Sequence, residues 1–215
     1  MRGMTTVWLL LAAAGVMIFG LTLGVMRGMG DENREVEAAL FPTNCAPPCF
    51  LNIRPGETRL SEARTILDAH PWVRDYYLTF RVLTDPSEER NATLVWHWNG
   101  QQPRLLRTPF VEAGEMEFVA GTAQAIRVAT AIPFGEVWLR MGMPSRGYLR
   151  LSRTYLGRFD NHLAIYEAAG VSFRTLLEHP PRIESYWYAP VEVRYAVDLR
   201  EGEAYRMPCW LNCDG

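Results

Sequence analysis

Hydrophobic and polar positions divide this chain into one long apolar run and a later region of short alternating segments. The run from Val7 to Met26 contains 20 residues and no charge. A helix of about 20 apolar residues is long enough to cross the ~30 Å hydrocarbon layer of a bilayer. We therefore predict that residues 1–27 form an uncleaved transmembrane signal-anchor, with a cleaved signal peptide as the alternative.

The same run predicts a single-pass protein of the cell membrane, because residues 7–26 are the one segment of this kind. Arg2 and Arg27 flank the run almost symmetrically, so charge does not decide its orientation. An N-terminal anchor normally directs the rest of its chain across the membrane, and we predict that the C-terminal domain is extracytoplasmic. Gly20 and Gly24 form a G-x-x-x-G pair, which favours packing between membrane helices.

The later region predicts an α+β domain built around an antiparallel sheet. Alternation of apolar and polar residues is the period of a half-buried strand. Helical spacing begins after Thr58, which is placed to cap a helix that ends before Pro71, and it recurs over Phe134–Met141. Asn99-Gly100 predicts a hairpin turn. The strand pattern occurs at Tyr76–Val82, Leu94–Trp98, Met116–Ala120, Ala123–Thr130, Tyr148–Ser152, His162–Ala168 and Val191–Leu199.

The two predicted helices also indicate how the folded region is organised. We assign residues 28–57 to a stalk and proline-rich linker, and residues 58–215 to the extracytoplasmic domain. Each helix comes after a similar turn, Ile53-Arg54-Pro55-Gly56-Glu57 in the first case and Ile132-Pro133-Phe134-Gly135-Glu136 in the second. The domain is then two tandem helix-plus-sheet repeats, 53–131 and 132–208, unless the similarity of the turns is a coincidence.

Four cysteines lie at the two ends of this region, with none between them. An even number in an exported domain predicts disulfides. We favour cross-links between the ends, which close a loop of about 160 residues and stabilise the fold by about 4–5 kcal/mol. Local bridges within each C-x-x-x-C pair, a four-thiolate zinc site and free thiols are the alternatives. The residues are Cys45, Cys49, Cys209 and Cys213.

Composition excludes two classes of function. All 22 basic residues are arginine, so Schiff-base and phosphate-loop chemistry that depends on lysine is excluded. The net charge is −2, whereas a nucleic-acid-binding domain carries a basic face and a high pI. We therefore predict that nucleic acid is not a partner.

Residues capable of catalysis are scattered along the chain. The four histidines lack the spacing of metal ligands, and no G-x-S-x-G nucleophile motif occurs. We predict no metal, no cofactor and no catalytic residue, and we favour a protein that is not an enzyme. The alternative is a surface hydrolase that assembles carboxylates or His162 from distant positions, and the run Asp160-Asn161-His162 could supply an acid–base pair.

Two groups of residues are candidates for a binding surface. An arginine-rich strand with a tyrosine suits an anionic lipid, a glycan or an acidic protein, although a solvated edge strand protected by charge explains it too. A Tyr-Trp-Tyr triplet is typical of interface anchors, and core packing explains it equally well. The candidates are Arg146, Tyr148, Arg150, Arg153, Tyr186, Trp187 and Tyr188.

Turn motifs in this chain resemble those of known families. Pro55-Gly56-Glu57-Thr58 leading into a helix, and Gly142-Met143-Pro144 ending one, resemble the SmpA/OmlA outer-membrane-assembly lipoproteins. The tandem form resembles β-lactamase-inhibitor-protein domains, and the segment from Pro48 to Gly56 resembles anchored proteins of Chloroflexi-type bacteria. The resemblance implies a non-enzymatic, protein-binding scaffold. The chain departs from the lipoproteins because it lacks a lipobox cysteine.

These observations predict a membrane-anchored, extracytoplasmic binding or accessory protein. Its partners would be the membrane, through residues 7–26, and another protein or an envelope polymer. A structural subunit of a membrane protein complex, using the helix as an interface, and the surface hydrolase are the alternatives.

Overall fold

The computed structural model describes residues 17, 20, 40–41, 45–80, 91–106, 113–154, 157–180, 182–199 and 203–204. Side chains are described for all of these except 113, 153–154 and 203–204. The chain divides into two compact units, Met1–Ala38 and Ala39–Gly215, and every element with defined bounds belongs to the second.

The described part of the second unit contains three short helices and nine strands. The helices are α1 (Leu60–Ala69), α2 (Phe134–Met141) and α3 (Ile183–Trp187), with 3-10 turns at Arg104–Leu106 and Glu167–Ala169. The strands are β1 (Val73–Phe80), β2 (Ala92–Trp98), β3 (Ala113–Val119), β4 (Thr122–Pro133), β5 (Arg146–Thr154), β6 (Gly157–Tyr166), β7 (Val171–Glu178), β8 (Pro190–Ala196) and β9 (Glu203–Ala204).

All nine strands join in one antiparallel sheet of order β1-β2-β3-β4-β8-β7-β6-β5-β9. β1 to β4 form a meander after α1, and β5 to β8 form a second meander after α2. The two meanders meet where β4 pairs with β8, for example at Ile126 and Tyr195. The chain therefore has two runs of a helix followed by four strands within a continuous sheet, and the second run also contains α3 between β7 and β8. That these runs are repeats with bounds 53–131 and 132–208 stays a prediction.

The core lies mainly on one face of this sheet, although β6 is buried on both faces from Asp160 to Tyr166. Alternate residues of the central strands project to it, and the helices pack against them because an exposed apolar face is costly. Phe134 at the start of α2 is fully buried, with its ring centroid 4.7 Å from that of His162 and 4.9 Å from that of Tyr186. The backbone N–H of Phe134 also donates to the Ala189 carbonyl at 2.8 Å, which holds α2 against the start of β8.

A tight turn at residues 50–53 covers the middle of the same face. Phe50 and Ile53 exchange two backbone hydrogen bonds of 3.0 and 2.8 Å, with Leu51 and Asn52 at positive φ between them. This is the geometry of a two-residue turn with left-handed residues. Phe50 is fully buried between the rings of Trp96 (6.3 Å) and Tyr195 (5.5 Å), so one side chain bridges β2 and β8.

A glycine makes this arrangement fit. Gly114 of β3 pairs with Trp96, and the indole ring lies directly over it. A Cβ at position 114 would lie 2.0 Å from the ring of Trp96, so any side chain there would displace it. Phe50 packs beside the indole, and residues 45–57, which we predicted as part of a linker, belong to the folded unit.

The predicted fold class is wrong in two respects. The prediction was an α+β domain built around an antiparallel sheet with short helices, whereas the described residues form mainly one antiparallel sheet with few short helices. The transmembrane helix is also corrected, and with it the single-pass membrane assignment: no helix among the described residues is long and apolar enough to cross a bilayer. Of the run 7–26 the structure describes Met17 and Gly20, both helical and exposed, and Gly24 lies outside the described residues.

The start of α1 differs from the prediction. Arg59, not Thr58, is the N-cap residue, and its side chain makes no capping bond. The hydroxyl of Thr58 instead accepts a hydrogen bond from the Arg54 N–H at 2.8 Å. The helix start is held by β4, because the Leu60 N–H donates to the Gly121 carbonyl at 2.9 Å and the Ala123 N–H donates to Thr58 at 2.9 Å.

The prediction that cysteines of this chain form disulfides is confirmed for one pair, but the predicted pairing is wrong. Cys45 is bonded to Cys49, the local alternative, and not to a cysteine of the other end. Cys209 and Cys213 lie outside the described residues. Closing a loop of so few residues stabilises by only about 2 kcal/mol in the chain-entropy model, less than half of what the predicted long loop would contribute.

We predict that Phe50→Ala lowers the free energy of unfolding by about 3–5 kcal/mol, because it empties the space between Trp96 and Tyr195. Denaturant unfolding followed by tryptophan fluorescence measures the change. Phe80→Ala is the matched control, since Phe80 is 58% exposed and its loss should cost less than about 1 kcal/mol. Equal losses in the two variants would contradict the central role of Phe50.

Candidate functional site

The sheet face opposite the helices, here called the polar face, carries the polar half of the strand alternation. Paired residues of neighbouring antiparallel strands project to the same side, so the register defines its rows. One row runs Glu115, Arg127, Arg194, Ser172, and the next runs Glu192, Arg174, Leu163, Tyr148.

The predicted arginine strand is β5, which contributes Tyr148 and Arg150 to the polar face. Arg150 is exposed, and its guanidinium lies 4.7 Å from the ring centroid of the half-buried Tyr148. Arg146 makes an ion pair of 3.2 Å with Glu167. The backbone of Arg153 belongs to β5, and its side chain lies outside what the structure describes.

The structure adds residues of β6 and β7 that the sequence pattern did not reveal. Arg174 is exposed, and its Nε donates to Asn161 Oδ1 at 2.9 Å. Asn161 pairs on one side with Arg150 and on the other with Leu176, which is 57% exposed. Alternation over Val171–Arg174 was the signal that could have found Arg174, but it breaks at the next two residues, where Thr175 is buried and Leu176 is exposed.

The neighbouring arginines of the polar face are already neutralised. Arg127 is bound by Glu115 and, at 2.6 Å, by Glu117. Arg194 lies directly across the strand pair from Arg127, where like charges repel, and its nearest carboxylate oxygen, on Glu117, is 3.9 Å away. Carboxylates of β3 thus balance the β4–β8 arginines. Arg150 and Arg174 form no ion pair with a described residue, and Glu192 lies opposite Arg174 on the neighbouring strand.

The aromatic triplet is divided between core and surface. Tyr186 is fully buried, so it does not belong to a binding surface as predicted. Trp187 is half-buried over Gly135 of α2, where a Cβ would lie 2.3 Å from the indole ring. Tyr188 is 72% exposed and is the member of the triplet that a partner can reach.

His162, the residue of the hydrolase alternative, is fully buried between Phe134 and Tyr186. The Tyr186 hydroxyl lies 3.2 Å from its Nε2. Burial disfavours the charged imidazolium and lowers the pKa of His162 to about 3. A group that is neutral and enclosed in this way cannot meet a substrate at the surface.

A different histidine borders a cavity. His179 Nδ1 lies 2.8 Å from Oδ2 of the buried Asp160, and its ring is partly exposed. The cavity, of about 770 Å³, lies between the end of β7 and α3. Sequence proximity suggested His162 as the acid–base partner of Asp160, whereas the strand pairing of β6 with β7 brings His179 to it. The lining includes Leu176, Glu178, His179, Arg182, Ser185 and Tyr188.

Within the described part of the chain, no group of three His, Cys, Asp or Glu residues could hold a metal ion. No protein-family model, curated protein or solved structure matches the chain. The resemblance to the SmpA/OmlA lipoproteins, to β-lactamase-inhibitor-protein domains and to Chloroflexi-type anchored proteins therefore stays a prediction.

We predict that His162 makes the fold sensitive to mild acid. Its pKa is about 3 in the folded state and about 6.5 when unfolded, so the unfolded state binds more protons below pH 6.5. The free energy of unfolding has its full value above pH 6.5. It falls by up to about 1.4 kcal/mol per pH unit as the pH drops toward 3.

Urea unfolding at pH 7 and pH 5 checks this prediction, with His162→Gln as the non-titrating control. We expect the wild type to lose about 2 kcal/mol more than the variant between these pH values. An imidazole NMR signal of His162 that titrates near pH 6.5 in the folded protein would contradict it.

Proposed function

We propose that this domain is a non-enzymatic binding protein that holds an acidic segment of another protein on the polar face of its sheet. One observation carries the proposal. Arg150 and Arg174 are exposed on the same face, each is held by a neighbouring side chain, and neither forms an ion pair with a described carboxylate.

The spacing of the two arginines suits an extended chain. Arg150 pairs with Asn161, and Arg174 pairs with Leu163, so they lie two strands apart with an offset of two residues. With about 4.8 Å between strands and about 3.4 Å per residue, their Cα atoms are separated by about 12 Å. Two carboxylates three or four residues apart in an extended segment span a similar distance.

Both guanidinium groups are held before any partner arrives. Arg150 lies over the Tyr148 ring, and Arg174 is held by Asn161, so less side-chain entropy is lost when a carboxylate binds. Leu176 stands exposed beside Asn161 and adds an apolar contact to the charged ones. A charged patch with an apolar centre favours a polypeptide over an anionic glycan.

The second candidate function, a hydrolase, would now depend on His179 rather than His162. The 2.8 Å contact with the buried Asp160 fixes the orientation of the imidazole, as general bases often require. Ser185 lines the same cavity and carries a hydroxyl group of the kind that acts as a nucleophile. Ester hydrolysis that is present in the wild type and lost in both His179→Ala and Ser185→Ala would favour this function over binding.

A fluorescent oligoglutamate peptide tests the proposed function directly. We expect it to bind the wild type and to release as salt is added, because the charges are exposed. Replacing Arg150 and Arg174 together with alanine should weaken binding by between about 2-fold and 30-fold, as exposed ion pairs contribute up to about 1 kcal/mol each.

Arg64→Ala is the matched control, because Arg64 lies on α1 at the opposite face, beside Tyr76. It should leave the affinity unchanged, and an oligolysine peptide should not bind. Equal loss in the Arg64 variant would contradict a site at the polar face. Stronger binding of an anionic polysaccharide, with the same dependence on Arg150 and Arg174, would indicate that the partner is an envelope polymer and not a protein.

Site-specific photo-crosslinking in the native cells tests the surface without knowing the partner. A photoreactive residue at position 176 should give a discrete product that disappears in the Arg150→Ala/Arg174→Ala background. The control is position 139, since Leu139 is 74% exposed on α2. The same product from both positions would rule out a face-specific partner.

A further inference from the structure

The cavity between the end of β7 and α3 has the size of a small-molecule site. Its volume is about 770 Å³, within the range of roughly 300–1,000 Å³ that ligand pockets occupy. The pairing of β7 with β8 ends at Arg174 and Glu192, so the last residues of β7 lie beside α3 and the segment that leads into β8. The cavity therefore forms where the strand pairing stops.

A buried carboxylate fixes one polar group of this cavity. Asp160 is 5% exposed, and its Oδ2 accepts a hydrogen bond of 2.8 Å from Nδ1 of His179. This bond orients the ring, and the second nitrogen, Nε2, makes no hydrogen bond with a described residue. Nε2 donates to a ligand when the ring is protonated and accepts from one when the ring is neutral. His179 is thus a pre-oriented hydrogen-bonding group in the cavity wall.

Two side chains near α3 add a charge and a hydroxyl group to the lining. Arg182 and Ser185 are exposed, and neither side chain forms an ion pair or a hydrogen bond with a residue that the structure describes. A guanidinium group presents parallel N–H donors that match the two oxygens of a carboxylate. Arg182 is therefore available to bind an anionic group inside the cavity.

The acidic residue of the lining lies on the other side of β7 from the imidazole. Asp160 pairs with Leu177, and both are buried on the core face, where His179 reaches Asp160. Successive residues of a strand project to opposite faces, so Glu178 projects to the polar face. Its carboxylate is thereby separated from the imidazole, and the core-face part of the cavity suits an anion.

Apolar side chains form much of the remaining lining. Tyr188 is 72% exposed and Leu176 is 57% exposed, and both border the cavity. A ligand with an apolar body would remove this surface from water, and an aromatic body would also pack against the tyrosine ring. Ligand pockets typically combine such apolar walls with a few polar groups that fix orientation.

We infer that this cavity binds a small organic acid, with its carboxylate at Arg182 and His179 and its aromatic body against Tyr188. Binding of this kind needs no nucleophile, so it does not depend on the hydrolase alternative. It is also independent of the acidic segment proposed for the polar face, because Arg150 and Arg174 do not belong to the cavity lining.

Titration of the full chain with 3-phenylpropionate tests the site, followed by ligand-observed NMR and by the imidazole C–H signals of His179. We expect these signals to shift, with a dissociation constant of about 1–5 mM or lower for a ligand of this size. 3-Phenylpropionamide lacks the charge, and acetate lacks the aromatic body. Each should therefore bind more weakly, by about tenfold or more.

Arginine variants separate this cavity from other basic positions. Arg182→Gln should weaken binding of 3-phenylpropionate by about fivefold, because it removes one exposed ion pair. Arg158→Gln is the matched control, since Arg158 is exposed on β6 and is not a lining residue. This variant and Arg150→Ala/Arg174→Ala should bind as the wild type does, and circular dichroism verifies that each variant is folded.

Three results would overturn the proposal. The first is an absence of shifts in the His179 signals when 3-phenylpropionate is added. The second is equal loss of binding in Arg158→Gln and Arg182→Gln. The third is binding of 3-phenylpropionamide or of the cation 3-phenylpropylamine that equals or exceeds binding of the acid, since the site would then recognise the ring alone or act through Glu178.

Discussion

The packing of Phe50 between Trp96 and Tyr195 is the contact on which this fold depends. Among the described residues, three short helices with defined bounds pack against the apolar face of a nine-stranded sheet. The turn at residues 50–53 also packs on this face, and Gly114 leaves room for the Trp96 ring. Because Trp96 belongs to the first meander and Tyr195 to the second, one side chain ties both to a common core, beside the β4–β8 pairing.

Covering one face in this way leaves the other free to carry charge. Ion pairs join Arg127 of β4 and Arg194 of β8 to carboxylates of β3, whereas Arg150 of β5 and Arg174 of β7 form no ion pair with a described residue. The result is a basic patch on a chain whose net charge is −2. Local charge balance, rather than total charge, therefore decides which partner the surface can attract.

The sequence pattern predicted the elements that have one buried face and one more exposed face. The bounds of α2 match the prediction, and β2, β3, β4 and β8 lie where alternation indicated, because each has a buried and a half-exposed side. β7 was missed because its alternation breaks at Thr175, which is polar but buried, and at Leu176, which is apolar but exposed. Asn99-Gly100 does not close a hairpin, since the Asn99 amide donates to the Pro71 carbonyl at 2.6 Å and β3 begins only at Ala113.

Local periodicity thus accounts for most of the strands and one helix, because the side that a residue presents depends only on its neighbours in the chain. The same periodicity placed Tyr148 and Arg150 together. Contacts between distant segments decided everything else: the meeting of β4 with β8, the burial of Phe50, and the union of Arg150 with Arg174 across β6. No window of sequence contains these pairs, because the strand order that brings them together is selected by how a whole sheet buries its apolar face.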